Sequence, residues 1–167
     1  CTDDRLFDFL GPDPCAGEAV NTQFGSSSGT SMATPTVTGT AALLQEYYGE
    51  LNANAKMLAA TLKGLLIHTT DEAGIEGPDF QFGWGLVNAE RAAQLIKEDD
   101  AKNNSLITEN TLNNGTTQTF EFFASGDEPI RFTISWTDPE AAADNAGIND
   151  ATSRLINDLD MRVRTPF

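Results

Sequence analysis

An α/β protein in two parts is predicted, because the spacing of apolar residues changes from a helical to a strand period part-way along the chain. From about residue 31 to residue 97 apolar side chains recur every three or four positions, and beyond about 103 they alternate with polar ones. The run Lys97-Glu98-Asp99-Asp100-Ala101-Lys102-Asn103-Asn104 marks the change, so the expected domains are 1–102 and 103–167.

The first part should contain three helices. Residues 1–28 are rich in turn formers, and Gly25-Ser26-Ser27-Ser28-Gly29 is a small, polar lead into the first helical stretch. From Ser31 to about Tyr48, Val37, Ala41, Leu44 and Tyr48 form one stripe that Ala42 and Leu43 widen, which predicts a largely buried helix. Pro35 suits the first turn of such a helix, where a missing N–H loses no partner, and Gly49 suits its C-cap. A second helix is expected over about Asn54 to His68, with Leu58, Leu62, Leu65 and Leu66 on one face. Gly83-Trp84-Gly85 reads as a turn, and Asn88 is placed to cap a third helix reaching about Lys97.

In the second part Ile130, Phe132, Ile134 and Trp136 alternate with Arg131, Thr133, Ser135 and Thr137. Leu159, Met161 and Val163 alternate with Asp160, Arg162 and Arg164, and Thr117 to Phe123 is a less regular third segment. This period of two predicts half-buried strands, and hence the opening of an antiparallel β-sandwich.

A formal net charge of -15, from 25 acidic against 10 basic residues, argues against a nucleic-acid partner, because such binding relies on clustered Lys and Arg. The same charge suits a solvated surface or bound calcium. No stretch reaches the roughly 18 consecutive apolar residues of a membrane helix, and no basic-then-apolar leader follows Cys1. With no initiator Met, the chain reads as a segment of a longer precursor. Cys1 and Cys15 flank the loop Gly11-Pro12-Asp13-Pro14; they would close it as a disulfide in an oxidising compartment or remain thiols in a reducing one.

Chemistry is concentrated in Gly29-Thr30-Ser31-Met32-Ala33-Thr34-Pro35, between a Gly/Ser loop and a helix. A serine hydroxyl becomes a good nucleophile only when held against a base, and the oxyanion it creates needs donors. At a helix N-terminus the Ser31 N–H has no helical partner, and the dipole adds positive potential. Gly29, with Thr30, lets a substrate backbone approach, and Met32 beside them is oxidisable. Taken alone, a serine in this position is most often an ordinary N-cap without chemistry.

This string resembles the serine motif of subtilisin-like peptidases, in which that serine is the nucleophile at the start of a central helix. Leu66-Ile67-His68-Thr69-Thr70 and Phe82-Gly83-Trp84-Gly85-Leu86-Val87-Asn88-Ala89 are similar to scaffold segments that come after it in the family. The resemblance implies a three-layer parallel-sheet α/β domain, of which residues 1–102 would be the carboxy-terminal part. It also implies serine endopeptidase activity without a catalytic cofactor, a polypeptide substrate, and a secreted or periplasmic location. Ile134-Ser135-Trp136-Thr137-Asp138-Pro139 and Leu155-Ile156-Asn157-Asp158-Leu159-Asp160 resemble the jelly-roll-like sandwich that lies after the catalytic domain in some large bacterial alkaline subtilases. Some of those bind calcium, so Asp138, Asn157, Asp158 and Asp160 are candidate ligands for a structural ion; salt-bridged carboxylates beside Arg162 or Arg164 are the alternative.

The family order is Asp, His, Ser, with the asparagine oxyanion donor also before the serine. Here Asp3, Asp4, Asp8 and Asp13 lie too near Ser31 in sequence to serve, and the one histidine, His68, comes after it. His68 is expected to be non-catalytic, with the base and orienter supplied by an amino-terminal part of the same precursor, without which this segment should be inactive. The other reading is a non-catalytic binding or adhesion module that carries a relict peptidase segment.

Overall fold

The computed structural model describes residues 28–124, 126, 129–143, 147, 148 and 150–164. Cys1, Cys15 and their proposed disulfide lie outside the described residues. The chain divides into two units, Cys1–Leu43 and Leu44–Phe167. Its helices are α1 (Thr30–Leu51), α2 (Ala59–His68) and α3 (Ala89–Ala101).

In the second unit the core is small. Leu44, Met57, Leu65, Ala92 and Ile96 are buried, with Tyr48, Leu51, Leu62, Leu66, Leu95 and Ile107 packed around them. Helical spacing explains the set: Leu44, Tyr48 and Leu51 share one face, as do Leu62, Leu65 and Leu66, and Ala92, Leu95 and Ile96. Met57 arrives from the α1–α2 loop, where the Gln45 amide grips its backbone twice, accepting from Met57 N–H (3.0 Å) and donating to its carbonyl (2.9 Å). Burial, and then the carboxylates of Glu109 and Asp99, push the Tyr48 phenol above its ordinary value.

Helix ends depart from expectation where the cap comes from far along the chain. Glycine at position 49 does not end α1: the helix continues to Leu51, and Ala53 and Asn54 carry the left-handed φ values of 52° and 65°. Gly49 serves instead where the returning loop crosses, since a Cβ there would meet Lys56 Nζ at 3.2 Å and Ala55 O at 3.3 Å. Helix α2 begins at Ala59, not Asn54, and Glu109 caps it, accepting from Leu58 N–H at 2.9 Å and from the Thr61 hydroxyl. Asn88 caps α3 as expected, its Oδ1 accepting from Arg91 N–H at 2.8 Å.

The sheets are the main correction. Among the described residues there is neither a parallel sheet nor an antiparallel sandwich; pairing is limited to isolated bridges between Asp71 and Leu86 and between Asp79 and Gly83. Alternation assigns side chains to two faces, but a strand exists only when its backbone finds a ladder partner. The segment 130–136 instead lays its polar face on α2. Arg131 Nη1 donates to the His68 carbonyl (2.9 Å), Thr133 Oγ1 meets His68 Nδ1 (2.9 Å), and Ser135 Cβ sits 3.0 Å from where a Gly64 Cβ would stand. Its other face leaves Ile130 and Ile134 exposed, while Phe132 packs on Phe122 with centroids 5.1 Å apart.

The expected burial of α1 is also not met: Leu44 and Gly49 are its buried residues, and Leu43 is 68% exposed. An amphipathic stripe marks where burial would be favourable without supplying the surface that covers it.

Asp99, 2% exposed, ties the segment after α3 to the core through Leu106 N–H (2.7 Å) and Ile107 N–H (2.9 Å), both on Oδ1. Replacing Asp99 with Ala orphans both donors and should cost on the order of 3 kcal/mol. Asp99→Asn, which keeps a carbonyl oxygen, should cost less. Denaturant midpoints measure this, and an Asp99→Ala variant as stable as the parent would remove the clamp from the account.

Candidate active site

Ser31 is the second residue of α1 and is exposed. Gly29 prepares the turn: its φ of 145° is open to glycine and strained for other residues. Its carbonyl accepts from both Met32 N–H and Ala33 N–H at 3.0 Å, so the helical ladder begins one residue after Ser31. Among the described residues nothing accepts from the Ser31 N–H or bonds its Oγ. Both groups are thus open for a ligand, beside the positive end of the helix dipole.

Met32 is half-buried, its Sδ 3.8 Å from where a Cβ on Gly29 would stand. Thr30 is exposed, and its carbonyl accepts from the Thr34 hydroxyl (2.8 Å). Pro35 lies inside the helix, one turn beyond Ser31, not in the first turn. It therefore does remove a helical donor, the one that would otherwise reach the Ser31 carbonyl. Downstream, the Thr36, Thr38 and Thr40 hydroxyls bond back to the carbonyls four residues earlier at 3.0–3.1 Å, which shields backbone on this otherwise exposed stretch. One face of the helix carries a shallow groove of about 530 Å³ lined by Thr30, Ala33, Thr34, Val37, Thr38 and Ala41.

His68, the last residue of α2, has its own partners. Its Nδ1 pairs with Thr133 Oγ1 and its carbonyl accepts from Arg131. Burial, and then the Arg131 charge, lower its pKa from the ordinary 6.5. In the neutral ring Nδ1 either donates to or accepts from the Thr133 hydroxyl; as imidazolium it only donates.

The candidate calcium ligands divide between separate tasks. Asp138 accepts from Ile156 N–H (2.7 Å), Asn157 N–H (2.9 Å) and Asn157 Nδ2 (2.9 Å), and the first of these is the main cause of its lowered pKa. Asn157 thus presents its amide N–H to Asp138. Asp160 pairs loosely with Arg162 at 4.0 Å, and Asp158 is exposed. No group of three or more His, Cys, Asp or Glu side chains able to hold a metal occurs among the described residues.

Residues 10–85, which include the Ser31 turn, match the sequence model of the subtilase family. The segment that carries the Ser31 turn is therefore similar in sequence to subtilases. The chain shares 39% identity over 86 residues with an extracellular serine protease of Serratia marcescens, covering 48% of this chain and 8% of that protein. Over 65 residues it is 40% identical to the autotransporter lipoprotein NalP of Neisseria meningitidis serogroup B, covering 39% of this chain and 6% of that protein. The chain therefore spans less than a tenth of the length of these relatives. No solved structure matches. The subtilase match ends at residue 85, within the Gly83-Trp84-Gly85 turn. There Gly85 has a φ of 98° and passes so near Asp71 that a Cβ would lie 2.3 Å from the Asp71 carbonyl oxygen.

The side chains that sequence reading did not single out, Gln45, Asp99 and Glu109, are structural clamps. Only Asp99 is near its partners in sequence, seven and eight residues away; Glu109 reaches 48 and 51 residues back, beyond any local pattern.

His68 makes stability pH-dependent with a definite sign. Its folded-state pKa lies below its unfolded value, so the unfolded chain binds more protons as pH falls through 6.5. The His68 contribution is full above that pH and lost below it. Urea midpoints measured from about pH 8 down to about pH 5 should fall more steeply in the parent than in His68→Gln. Parallel profiles for the two proteins would contradict the assignment.

Proposed function

We propose that the chain is part of a subtilisin-like serine endopeptidase in which Ser31 is the nucleophile. The observation that carries this reading is the unpartnered Ser31 hydroxyl and N–H at the exposed first turn of α1, inside the stretch that matches the subtilase family. Ser31 Oγ attacks the scissile carbonyl of a polypeptide, and Ser31 N–H donates to the oxyanion that forms. The lack of a side chain at exposed Gly29 and the exposed Thr30 leave the approach open for substrate backbone. Loss of the amine leaving group gives an acyl-enzyme, which water then hydrolyses.

The general base, its orienting carboxylate and a second oxyanion donor belong, in this proposal, to other segments of a longer protein. His68 is engaged by Thr133 and Arg131 and is assigned no part. No cofactor enters the reaction. The names of the relatives, an extracellular protease and an autotransporter lipoprotein, support a secreted protein.

The full-length protein should label with a fluorophosphonate at Ser31, since that reagent requires an activated serine. Ser31→Ala should abolish labelling and lower kcat on a casein substrate by about 10⁶. Labelling that survives Ser31→Ala would place the nucleophile elsewhere. A folded full-length protein that neither labels nor cleaves casein would instead favour a binding module.

A further inference from the structure

The turn at Asn113–Thr116, in the second unit, has a chemistry of its own. Thr116 N–H (3.1 Å) and Thr116 Oγ1 (2.6 Å) both donate to the Asn113 carbonyl, which leaves Asn114 and Gly115 as the central residues of the turn. Gln118 Nε2 donates to the Thr111 carbonyl (2.9 Å) and closes the base of the loop. Asn114 and Gly115 are exposed, and Gly115 carries a φ of 75° with nothing within 4 Å of its Cβ position. Among the described residues neither the Asn114 carboxamide nor the Gly115 N–H has a partner.

We propose that Asn114-Gly115 is a site of spontaneous deamidation. With hydroxide as base, the Gly115 amide nitrogen loses its proton and attacks Asn114 Cγ. A bond forms between that nitrogen and Cγ, the Cγ–Nδ2 bond breaks, and ammonia leaves, giving a five-membered cyclic imide. Water then adds to either imide carbonyl. One opening restores the normal backbone with Asp in place of Asn, and the other gives isoaspartate, in which the main chain runs through the former side chain. The net reaction is amide plus water to carboxylate plus ammonium, with no oxidant or reductant.

Three features select this site. The attacking nitrogen belongs to a glycine, so no side chain obstructs its approach to Cγ. Asn114 is the asparagine in this sequence that glycine follows. Its carboxamide is also unengaged, whereas Asn52, Asn88 and Asn157 donate through Nδ2 to Tyr48 O, Asp71 and Asp138. Conversion adds a negative charge to a chain already at -15, and the isoaspartate form lengthens the backbone between Asn113 and Thr116, breaking the two bonds that close the turn.

The experiment incubates the folded protein at mildly alkaline and mildly acidic pH, then maps peptides by mass spectrometry and labels isoaspartate with protein-isoaspartate methyltransferase. The expected result is acid and isoaspartyl forms of the peptide holding Asn114, faster at alkaline pH and absent in Asn114→Gln. Conversion at Asn114 that is no faster than at Asn103 or Asn104 would overturn the proposal. So would an Asn114 that stays intact in the folded protein while the same residue converts in a urea-unfolded control, since the turn would then be protecting it.

Discussion

A core of five buried apolar side chains among the described residues, Leu44, Met57, Leu65, Ala92 and Ile96, sets the terms for the rest of the second unit. So small an apolar seam stabilises the helices that supply it but does not hold the long connections between them. Those are held by polar clamps. Gln45 fixes Met57, Glu109 fixes the start of α2, Asp99 fixes Leu106 and Ile107, and Asp71 fixes both Asn88 and Arg91 at the start of α3. Asp99 is the buried carboxylate among these clamps, and the two backbone N–H groups that it accepts from compensate its removal from water.

The first unit obeys a different constraint. Its described part is the amino-terminal stretch of α1, where the geometry of Gly29 and the missing N–H of Pro35 leave the peptide around Ser31 short of the hydrogen bonds a helix normally provides. What weakens the helix locally is what leaves the Ser31 N–H and hydroxyl unengaged among the described residues. An N–H committed to a helical carbonyl could not meet an oxyanion, and a hydroxyl folded back onto its own helix, as in Thr34, Thr36, Thr38 and Thr40, could not attack a substrate. Ser31 differs from those threonines by lying where no carbonyl precedes it at the right distance in the helix.

Legibility in the sequence tracked the range of the interaction. Helix existence was readable throughout, since amphipathic spacing is local, and the Asn88 cap was readable because its partner lies three residues away. The start of α2 was not, because Glu109 supplies its cap. The β-rich expectation failed for the same kind of reason. The alternation of Ile130 to Trp136 was real, yet Arg131, Thr133 and Ser135 found His68 and Gly64 on α2 in place of a neighbouring strand. Period two describes a chain able to pair; whether it pairs depends on what stands beside it.

By itself, then, the sequence determined the helical segments and the likeness of the Ser31 turn to the subtilase motif, because helical period, turn chemistry and a contiguous motif are all properties of neighbouring residues. Only the tertiary structure decided which faces are covered, where α2 begins, and that His68 is tied to Thr133 and Arg131. Those outcomes rest on contacts between residues tens of positions apart, and such contacts depend on where the folded backbone places each partner.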